Sequence, residues 1–234
     1  MAGKTKTIPG AIIFDSSTII SLAMNGLLGK IRDLKGIFKG NFFITKEIKE
    51  EVIDRPLNVK RFELEALRVK KLLDQGVLQL PSSIGISDEE ITQKTNKMVE
   101  IANDMFTSRG ESIKLIHSGE ASCLALSRIL LDKKIPHVIA IDERTARMLG
   151  EKPEKLKELL EKKLNIKVSL KKDDFKYFRG FKFIRSAELL YVIWKKGLTE
   201  LKGGKMVLDA FLYAVKFKGC AISDDEIAEI KRIG

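Results

Sequence analysis

Two aspartates, Asp15 and Asp142, each come directly after a short apolar run, at 11–14 and 138–141. Runs of this length and composition are typical of strands buried on both faces of a parallel sheet. Neighbouring parallel strands lie about 4.8 Å apart, so their final residues are expected to meet at one edge of the sheet. Two carboxylates held that close repel each other, and a bound cation relieves the repulsion. Oxygen ligands alone favour Mg²⁺ or Mn²⁺, although each aspartate has an alternative role as a helix N-cap.

The sequence lacks the residues of several other catalytic sites. No Gly-x-x-x-x-Gly-Lys-Ser/Thr loop, Gly-x-Gly-x-x-Gly turn or Gly-x-Ser-x-Gly elbow is present. The two histidines, His117 and His137, are 20 residues apart, which is not a metal-ligand spacing. Cys123 and Cys220 are too few for a disulfide framework or a four-cysteine zinc site. Carboxylates therefore remain as the groups that could do chemistry.

The elements that would position these carboxylates alternate along the chain. Strands are predicted at 11–14, 41–44, 77–80 and 138–141, each bounded by turn or capping residues. Apolar positions at helical spacing predict helices between and after these strands. The predicted helices follow Asp15 and Thr45 and then cover 58–75, 87–107, 119–131, 185–196, 205–218 and 224–232. This alternation is typical of an α/β fold whose parallel strands are joined by right-handed crossovers.

The chain is interpreted as one elaborated domain over 9–234. No internal repeat, low-complexity segment or Pro/Gly-rich linker divides it, and a chain of this length can bury a substantial core. Two segments, 82–117 and 151–183, extend beyond the minimal alternation and are interpreted as insertions, the first helical and the second basic. Within the second insertion, 166–170 alternates like an edge or hairpin strand.

Basic residues outnumber acidic ones, 43 to 32, which gives a formal net charge of +11. Segment 151–183 alone carries 11 Lys/Arg and 6 Asp/Glu, a net charge of 11 − 6 = +5. Such an excess favours a polyanionic partner, although a solvated lysine-rich surface gives the same composition. Four aromatic residues in this segment either stack on the bases of a single-stranded nucleic acid or pack in the core, and core packing is the favoured interpretation. They are Phe175, Tyr177, Phe178 and Phe181.

Four segments resemble, in order, the motifs of PIN-domain nucleases. Segment 14–22 contains Phe-Asp-Ser-Ser, which is similar to the family's opening strand followed by Asp-x-Ser/Thr. Segment 45–52 resembles the second motif, in which a helix offers one acid. Segment 118–126 begins Ser-Gly-Glu-Ala and resembles the third motif of a subgroup that uses Glu. Segment 141–147, Ile-Asp-Glu-Arg-Thr-Ala-Arg, resembles the fourth motif, and 186–198 resembles the closing helix of the same subgroup.

This resemblance implies a three-layer α/β/α fold with a parallel sheet of strand order 3-2-1-4-5 and helices on both faces. It also implies a cluster of acids that binds Mg²⁺ or Mn²⁺ and hydrolyses phosphodiester bonds of RNA or, in some members, of DNA. Carried onto this chain, the catalytic acids are Asp15, Glu51, Glu120 and Asp142. The direct metal ligands among them are Asp15, Glu120 and Asp142.

The acid of the second motif is chosen by its position on the helix. Glu51 lies three residues after Ile48 and therefore near the edge of the buried helix face, whereas Glu50 points about 100° away from it. Glu50 and Glu47, one turn earlier, remain alternatives to Glu51. An exposed helix acid without a catalytic role is the alternative interpretation of Glu51 itself.

Five polar residues near these motifs could support the same site. Ser17 could hydrogen-bond a metal-bound water or a ligand carboxylate, or it could cap the helix that follows. Arg144 and Arg147, spaced i and i+3 on one helix, could hold a phosphate near the metal. Lys46 and Lys49 flank the second motif and could do the same. Surface ion pairs are the alternative role for all four basic residues.

The function predicted from these residues is that of a metal-dependent endonuclease, most favourably an endoribonuclease. Its chemistry needs no side-chain nucleophile, in agreement with the absent Ser/His/Asp and Cys/His sets. The alternative is a PIN-like module that binds RNA without cutting it, although such a module has no need for clustered carboxylates. An Asp-x-Asp phosphatase is disfavoured because position 17 is serine.

RNA is the expected partner, with DNA as the second choice. No run approaches 18 apolar residues, so a membrane partner is not expected, and the low cysteine content favours the cytoplasm. The sequence neither requires nor excludes a homodimer, a protein inhibitor or an antitoxin. The two insertions differ from the compact pattern of toxin-like PIN proteins.

Overall fold

Short apolar runs build the central sheet of the computed structural model, which describes residues 9–233. The strands are β1 (Ala11–Phe14), β2 (Asn41–Phe43), β3 (Phe106–Ser108), β4 (Glu111–Ser112), β5 (His137–Ala140), β6 (Ser169–Leu170) and β7 (Phe183–Ile184). Four of them form a parallel sheet in the order β2-β1-β5-β7. β1 is buried along its whole length, as expected for an apolar strand covered on both faces.

Helices flank this sheet. They are α1 (Ser16–Met24), α2 (Gly29–Ile37), α3 (Lys46–Lys49), α4 (Glu63–Asp74), α5 (Asp88–Met105), α6 (Ser118–Asp132), α7 (Arg144–Glu151), α8 (Pro153–Leu164), α9 (Ser186–Lys195), α10 (Lys205–Lys216) and α11 (Asp224–Ile233). α6 contacts α3 and α5, while α9 contacts α1, α2 and α10. The predicted α/β class, with a parallel sheet between helices, is confirmed and is consistent with three α/β/α layers. Among the helices described between residues 9 and 233, none combines the length and apolar character needed to cross a membrane.

The strand predicted at 77–80 shortens to a single bridge, in which Gln79 pairs in parallel with Phe43 on the outer side of β2. The backbone N–H groups of the two residues before Gln79 both donate to the carbonyl of Leu72 and close the end of α4. Pro81 has no N–H group and begins a 3-10 turn. Of the residues at 77–80, Gln79 alone pairs with β2. The sheet described within residues 9–233 therefore has four strands, and the five-stranded order 3-2-1-4-5 stays a prediction.

The two predicted insertions contact each other. The first contributes α5 and the β3–β4 hairpin, and the second contributes α8 and β6. β6 pairs with β3, which gives a second, antiparallel sheet in the order β4-β3-β6. The strand predicted at 166–170 is therefore confirmed only at Ser169–Leu170. Phe106 and Phe178, one from each insertion, are buried in the same hydrophobic cluster as the central sheet.

The register between β1 and β5 decides which side chains meet beyond the strand ends. Phe14 pairs with Ala140, and the N–H of Asp15 donates to the carbonyl of Ala140 at 2.9 Å. The position beside Asp15 is therefore Ile141, and Asp142 lies one residue further along. Asp142 therefore does not lie directly beside Asp15 in the register of the two strands.

Candidate metal centre

Asp15 lies at the carboxyl end of β1 and is only 1% exposed. Its Oδ2 accepts hydrogen bonds from the N–H and the hydroxyl of Ser17, at 2.9 and 2.5 Å, and Asp15 is thus the N-cap of α1. Its Oδ1 is also buried but has no hydrogen-bond partner among the described residues. Burial of a carboxylate oxygen without a partner is unfavourable. Capping therefore accounts for one oxygen of Asp15 but not for the other.

Glu51 lies on a π-helical turn, Glu50–Asp54, that continues directly from α3. Its carboxylate rests against Gly119 at the start of α6, because a Cβ at position 119 would lie 2.6 Å from Oε1 and 2.9 Å from Oε2. Only glycine permits this approach. Glu50 instead approaches Arg55, with 3.7 Å between the carboxylate and the guanidinium. The structure thus brings Glu51 rather than Glu50 to the start of α6.

Glu120 lies in the first turn of α6. Its Oε2 accepts a hydrogen bond from the N–H of His117 at 2.8 Å, which satisfies one of the amide groups left open at a helix start. The helix dipole also favours a negative charge here. The side chain remains 20% exposed, so Glu120 combines a capping role with access to solvent.

Glu51 and Glu120 influence the ionisation of Asp15. Burial raises the pKa of Asp15 to about 7; the hydrogen bonds from Ser17 oppose this shift, and the negative charges of Glu120 and Glu51 add to it. We refer to Asp15, Glu51 and Glu120 as the acidic cluster. A carboxylate whose pKa lies near neutrality can exchange its proton for a cation at physiological pH.

Cys123 is fully buried on α6, close to the acidic cluster. Burial, followed by the negative charges of Asp15, Glu120 and Glu51, raises the pKa of its thiol well above the ordinary value. Thiolates bind metals but protonated thiols do not. The donors of the acidic cluster are therefore carboxylate oxygens.

Asp142 is also fully buried, but its carboxylate is bound elsewhere. Its Oδ1 accepts a hydrogen bond from the N–H of Ser186, and its Oδ2 accepts one from the Ser186 hydroxyl, both at 2.7 Å. Ser186 is the first residue of α9. The Asp142 carboxylate therefore accepts its hydrogen bonds at the start of that helix. The structure thus brings together three of the four predicted acids and directs the fourth to Ser186 rather than towards Asp15. The role of Asp142 as a metal ligand stays a prediction.

Ser17 connects the two aspartates. Its hydroxyl donates to Oδ2 of Asp15 and accepts a hydrogen bond from the backbone N–H of Asp142 at 3.0 Å. It therefore bonds a carboxylate of the predicted site rather than acting as the N-cap of α1. Through Ser17, the chain just after β5 fixes the orientation of Asp15.

The four basic residues predicted to hold phosphate have different surroundings. Arg144 and Arg147 line a cavity of about 610 Å³ beside α7, and the Arg147 guanidinium donates to a backbone carbonyl at 3.2 Å. Lys49 pairs with both carboxylate oxygens of Asp54, at 2.8 and 2.6 Å. Lys46 is exposed next to the second motif. A phosphate-binding role stays a prediction for each of them.

Glu47 is an additional acid that the sequence analysis treated only as an alternative to Glu51. Its Oε2 is buried and has no hydrogen-bond partner among the described residues. Its negative charge, like those of the acidic cluster, raises the pKa of the Cys123 thiol. Glu47 lies in the first turn of α3, four residues before Glu51. This i, i+4 spacing, which places two side chains on one helix face, is the signal by which the sequence could have included both.

The donors of the acidic cluster fit a hard divalent cation. All are carboxylate oxygens, the ligands that Mg²⁺ and Mn²⁺ favour, and the buried Oδ1 of Asp15 has no partner in the described part of the chain. Within residues 9–233, no three His, Cys, Asp or Glu side chains are already arranged to hold an ion. Cation binding would therefore be accompanied by side-chain movement.

Comparison of the chain with protein-family models, with curated proteins and with solved structures gives no match. The resemblance to PIN-domain nucleases is accordingly carried by the four sequence motifs alone.

Proposed function

We propose that this protein is a Mg²⁺- or Mn²⁺-dependent nuclease with a PIN-like active site, and that its substrate is RNA. The proposal is carried by the buried Oδ1 of Asp15, which has no partner within residues 9–233, and by the negative charges of Glu120 and Glu51, which act on Asp15. An N-cap needs one accepting oxygen, and it needs no further acids around it. Mutually repelling carboxylates destabilise the fold unless a cation compensates them.

The position of the acidic cluster in the sheet supports the proposal. After β1 the chain forms β2 on one side of β1, and it later returns to form β5 on the other side. Ligands of open parallel sheets bind at such switch points, beyond the carboxyl ends of the strands. Asp15 lies at that point. If the isolated Gln79 bridge beside β2 were extended into a strand, the sheet would have the 3-2-1-4-5 order that the PIN resemblance implies.

In this nuclease, some residues would bind the cation and others would position those ligands. Asp15, Glu51 and Glu120 would hold the cation, and Ser17 would keep Oδ2 of Asp15 oriented so that Oδ1 faces the ion. When bound, Mg²⁺ or Mn²⁺ would polarise the scissile phosphate and lower the pKa of a water molecule. Asp142, whose carboxylate is held by Ser186, would act as a positioning residue through its backbone contact with Ser17.

RNA as the substrate is supported by charge, since the net charge of +11 favours a polyanion. The alternative function, RNA binding without cleavage, would account for this charge equally well. It would not account for the acidic cluster, because acids beside a polyanion repel it unless a cation lies between them. The nuclease is therefore the function that the site supports best.

RNA cleavage is expected to require a divalent cation. A labelled single-stranded RNA should be cut in Mn²⁺ or Mg²⁺ and left intact in EDTA, and excess Mn²⁺ should restore cutting, because the oxygen donors cannot activate water alone. Gel electrophoresis of the products measures this. The Asp15→Asn variant, purified in the same way, controls for contaminating nucleases. Undiminished cleavage in EDTA by wild type, with none by the variant, would exclude the cation from the reaction.

Gly119→Ala is expected to weaken Mn²⁺ binding without weakening the fold. The new methyl group would overlap the carboxylate end of Glu51, a flexible side chain that can move away, while alanine favours a helix over glycine by up to about 1 kcal/mol. We expect an unfolding temperature at or above that of wild type and about tenfold or more weaker Mn²⁺ binding by calorimetry. Gly29→Ala, also in the first turn of a helix but with open space around the added Cβ, is the matched control. Equal Mn²⁺ affinity in all three proteins would remove Glu51 from the site.

A further inference from the structure

A basic pocket lies where the two insertions meet α6. Its charged lining consists of Lys94, Lys97, Arg128 and Lys176, with the half-buried ring of Tyr177 among them, and its volume is about 230 Å³. We call it the Tyr177 pocket. Lys94 and Lys97 come from the first insertion, and Lys176 and Tyr177 come from the second. None of the described residues that line it is acidic.

Two lysine ammonium groups lie over the Tyr177 ring in cation–π contacts, from which a stacking base would displace at least one. The Nζ atoms of Lys97 and Lys176 are 5.8 and 5.3 Å from the ring centroid. Lys94 is 3.9 Å from Asp132, which is 63% exposed, so this pair is weak. The floor between them is apolar and is formed by Met98 and Ile101. The pocket therefore combines positive charge, an aromatic ring and an apolar surface.

Tyr177 is held in place before any ligand arrives. Phe175 and Phe178, on the same 3-10 turn, are buried in the core, as the sequence analysis favoured for these aromatic residues. The Arg128 guanidinium donates to the backbone carbonyls of Tyr177 and Arg179, both at 2.9 Å, and ties this turn to α6. Of the four aromatic residues, Tyr177 is the one that is not buried.

We propose that the Tyr177 pocket binds a single-stranded nucleic acid, with one base stacked on the ring and neighbouring phosphates beside Lys97 and Lys176. Aromatic rings stack on bases of any sequence, but only when those bases are free of a duplex. The apolar floor suits the face or edge of a base. An acidic peptide would use the lysines but not the ring.

The proposal extends the proposed function, on which it rests for the choice of RNA. Arg128 lies on the same helix as Glu120, eight residues later, which is about 12 Å along the helix axis. A strand of a few nucleotides can span such a distance. The pocket would thus hold a substrate strand at a point away from the acidic cluster.

Binding of a fluorescein-labelled single-stranded RNA of mixed sequence, measured by anisotropy in EDTA, tests the pocket without any cleavage. Tyr177→Ala should weaken binding by about 5- to 100-fold, the effect of losing one base–aromatic stack. Tyr177→Phe keeps the ring and should bind like wild type. Tyr191→Ala is the matched control, because Tyr191 also lies beside a lysine, at 5.3 Å from Lys195, but outside the pocket.

The salt dependence of RNA binding is a second measurement, and it does not require the Tyr177 variants to fold. Lys97 and Lys176 are exposed, and the double variant K97Q/K176Q should lower the slope of log affinity against log salt by about 1.4, or about 0.7 for each phosphate contact. Single-stranded DNA that competes with the RNA would also support the pocket, since stacking and phosphate contacts do not use the 2′-hydroxyl. Wild-type affinity in Tyr177→Ala, or an unchanged salt slope in the double variant, would overturn the proposal. A Tyr177-dependent affinity in a protein that never cuts RNA would support the pocket and reject the nuclease.

Discussion

Asp15→Asn is expected to abolish RNA cleavage, with a fall in rate of roughly a thousandfold or more, because several kcal/mol of transition-state stabilisation depend on the cation. The oxygen proposed to bind the ion, Oδ1, has no hydrogen-bond partner among the described residues. Asparagine keeps the size of the side chain but removes its charge. Asp142 cannot replace it, since its carboxylate is bound to Ser186.

The fold and the affinity for RNA should survive this substitution. Asparagine caps helices as well as aspartate does, so the bond from the N–H of Ser17 can be kept. Phosphate binding depends on lysines and arginines rather than on Asp15. Cleavage and binding of the same RNA, measured for both proteins in Mn²⁺, separate these effects. Asp74→Asn, which changes an exposed aspartate paired with Lys70 on α4, is the control for charge alone.

Two results would contradict the proposed site. Equal cleavage by wild type and Asp15→Asn would remove Asp15 from the reaction and, with it, the best supported of the four motifs. Absence of cleavage by wild type on every RNA and DNA tested, with equal RNA affinity in both proteins, would favour the binding module instead.

Much of the fold follows from the spacing of apolar residues and from the turn and capping residues that bound each element. The predicted strands at 11–14 and 41–44 appear as β1 and, one residue shorter, as β2, and Thr45 caps α3 as its sequence context indicates. The strand expected at 77–80 does not form in full because Leu72 accepts the hydrogen bonds that its first residues would give to the sheet. Local propensity cannot reveal this competition, since both sets of hydrogen bonds satisfy the same backbone groups.

The position of Asp142 depended on a register that the sequence does not specify. The sequence predicts a strand at 138–141 with Asp142 directly after it, whereas β5 covers His137–Ala140. The pairing of β5 with β1 decides which residue lies beside Asp15, and it places Ile141 there. Both assignments contain suitable residues for a buried strand, so only pairing with β1 distinguishes them.

The sequence predicts the surroundings of Glu120 and of Glu51 to different degrees. The segment Ser-Gly-Glu-Ala predicts Glu120. The glycine in that segment, Gly119, leaves room for the Glu51 carboxylate. The π-helical turn that carries Glu51 has no signature in local sequence, and such turns frequently occur at functional sites. The sequence nevertheless favours Glu51 over Glu50 through its spacing from Ile48, and the contact of the Glu51 carboxylate with Gly119 agrees with that choice.

The stability of the cation-free protein is expected to fall as the pH rises from about 4 to about 7, because of Asp15. Burial raises the pKa of Asp15 from 3.8 to about 7 in the folded protein, so between these values the folded state holds a proton that the unfolded state has released. The state that binds more protons is favoured at low pH. This contribution is fully present below pH 3.8 and is lost as the pH passes 7. Its size is about 4 kcal/mol, of which about 3 kcal/mol falls between pH 5 and pH 8.

Urea denaturation in EDTA at pH 5, 6, 7 and 8 measures this contribution as the difference between wild type and Asp15→Asn. The variant has no proton to lose at position 15, so it should become the more stable protein as the pH rises. Asp74→Asn should follow the wild-type curve, since Asp74 is exposed. Parallel curves for wild type and Asp15→Asn would mean that Asp15 ionises as it does in water, which is incompatible with the buried, crowded site described above.

Mn²⁺ should reverse the pH dependence, because a cation binds the ionised form of Asp15 and displaces its proton. Between pH 5 and pH 7 its affinity should rise by up to about tenfold for each pH unit and then level off. Mn²⁺ should therefore raise the unfolding temperature of wild type more at pH 8 than at pH 5, and it should have little effect on Asp15→Asn at either pH. Stabilisation of both proteins to the same extent would place the cation at another site, whereas stabilisation of wild type alone would connect the raised pKa of Asp15 with the ion that the acidic cluster is proposed to hold.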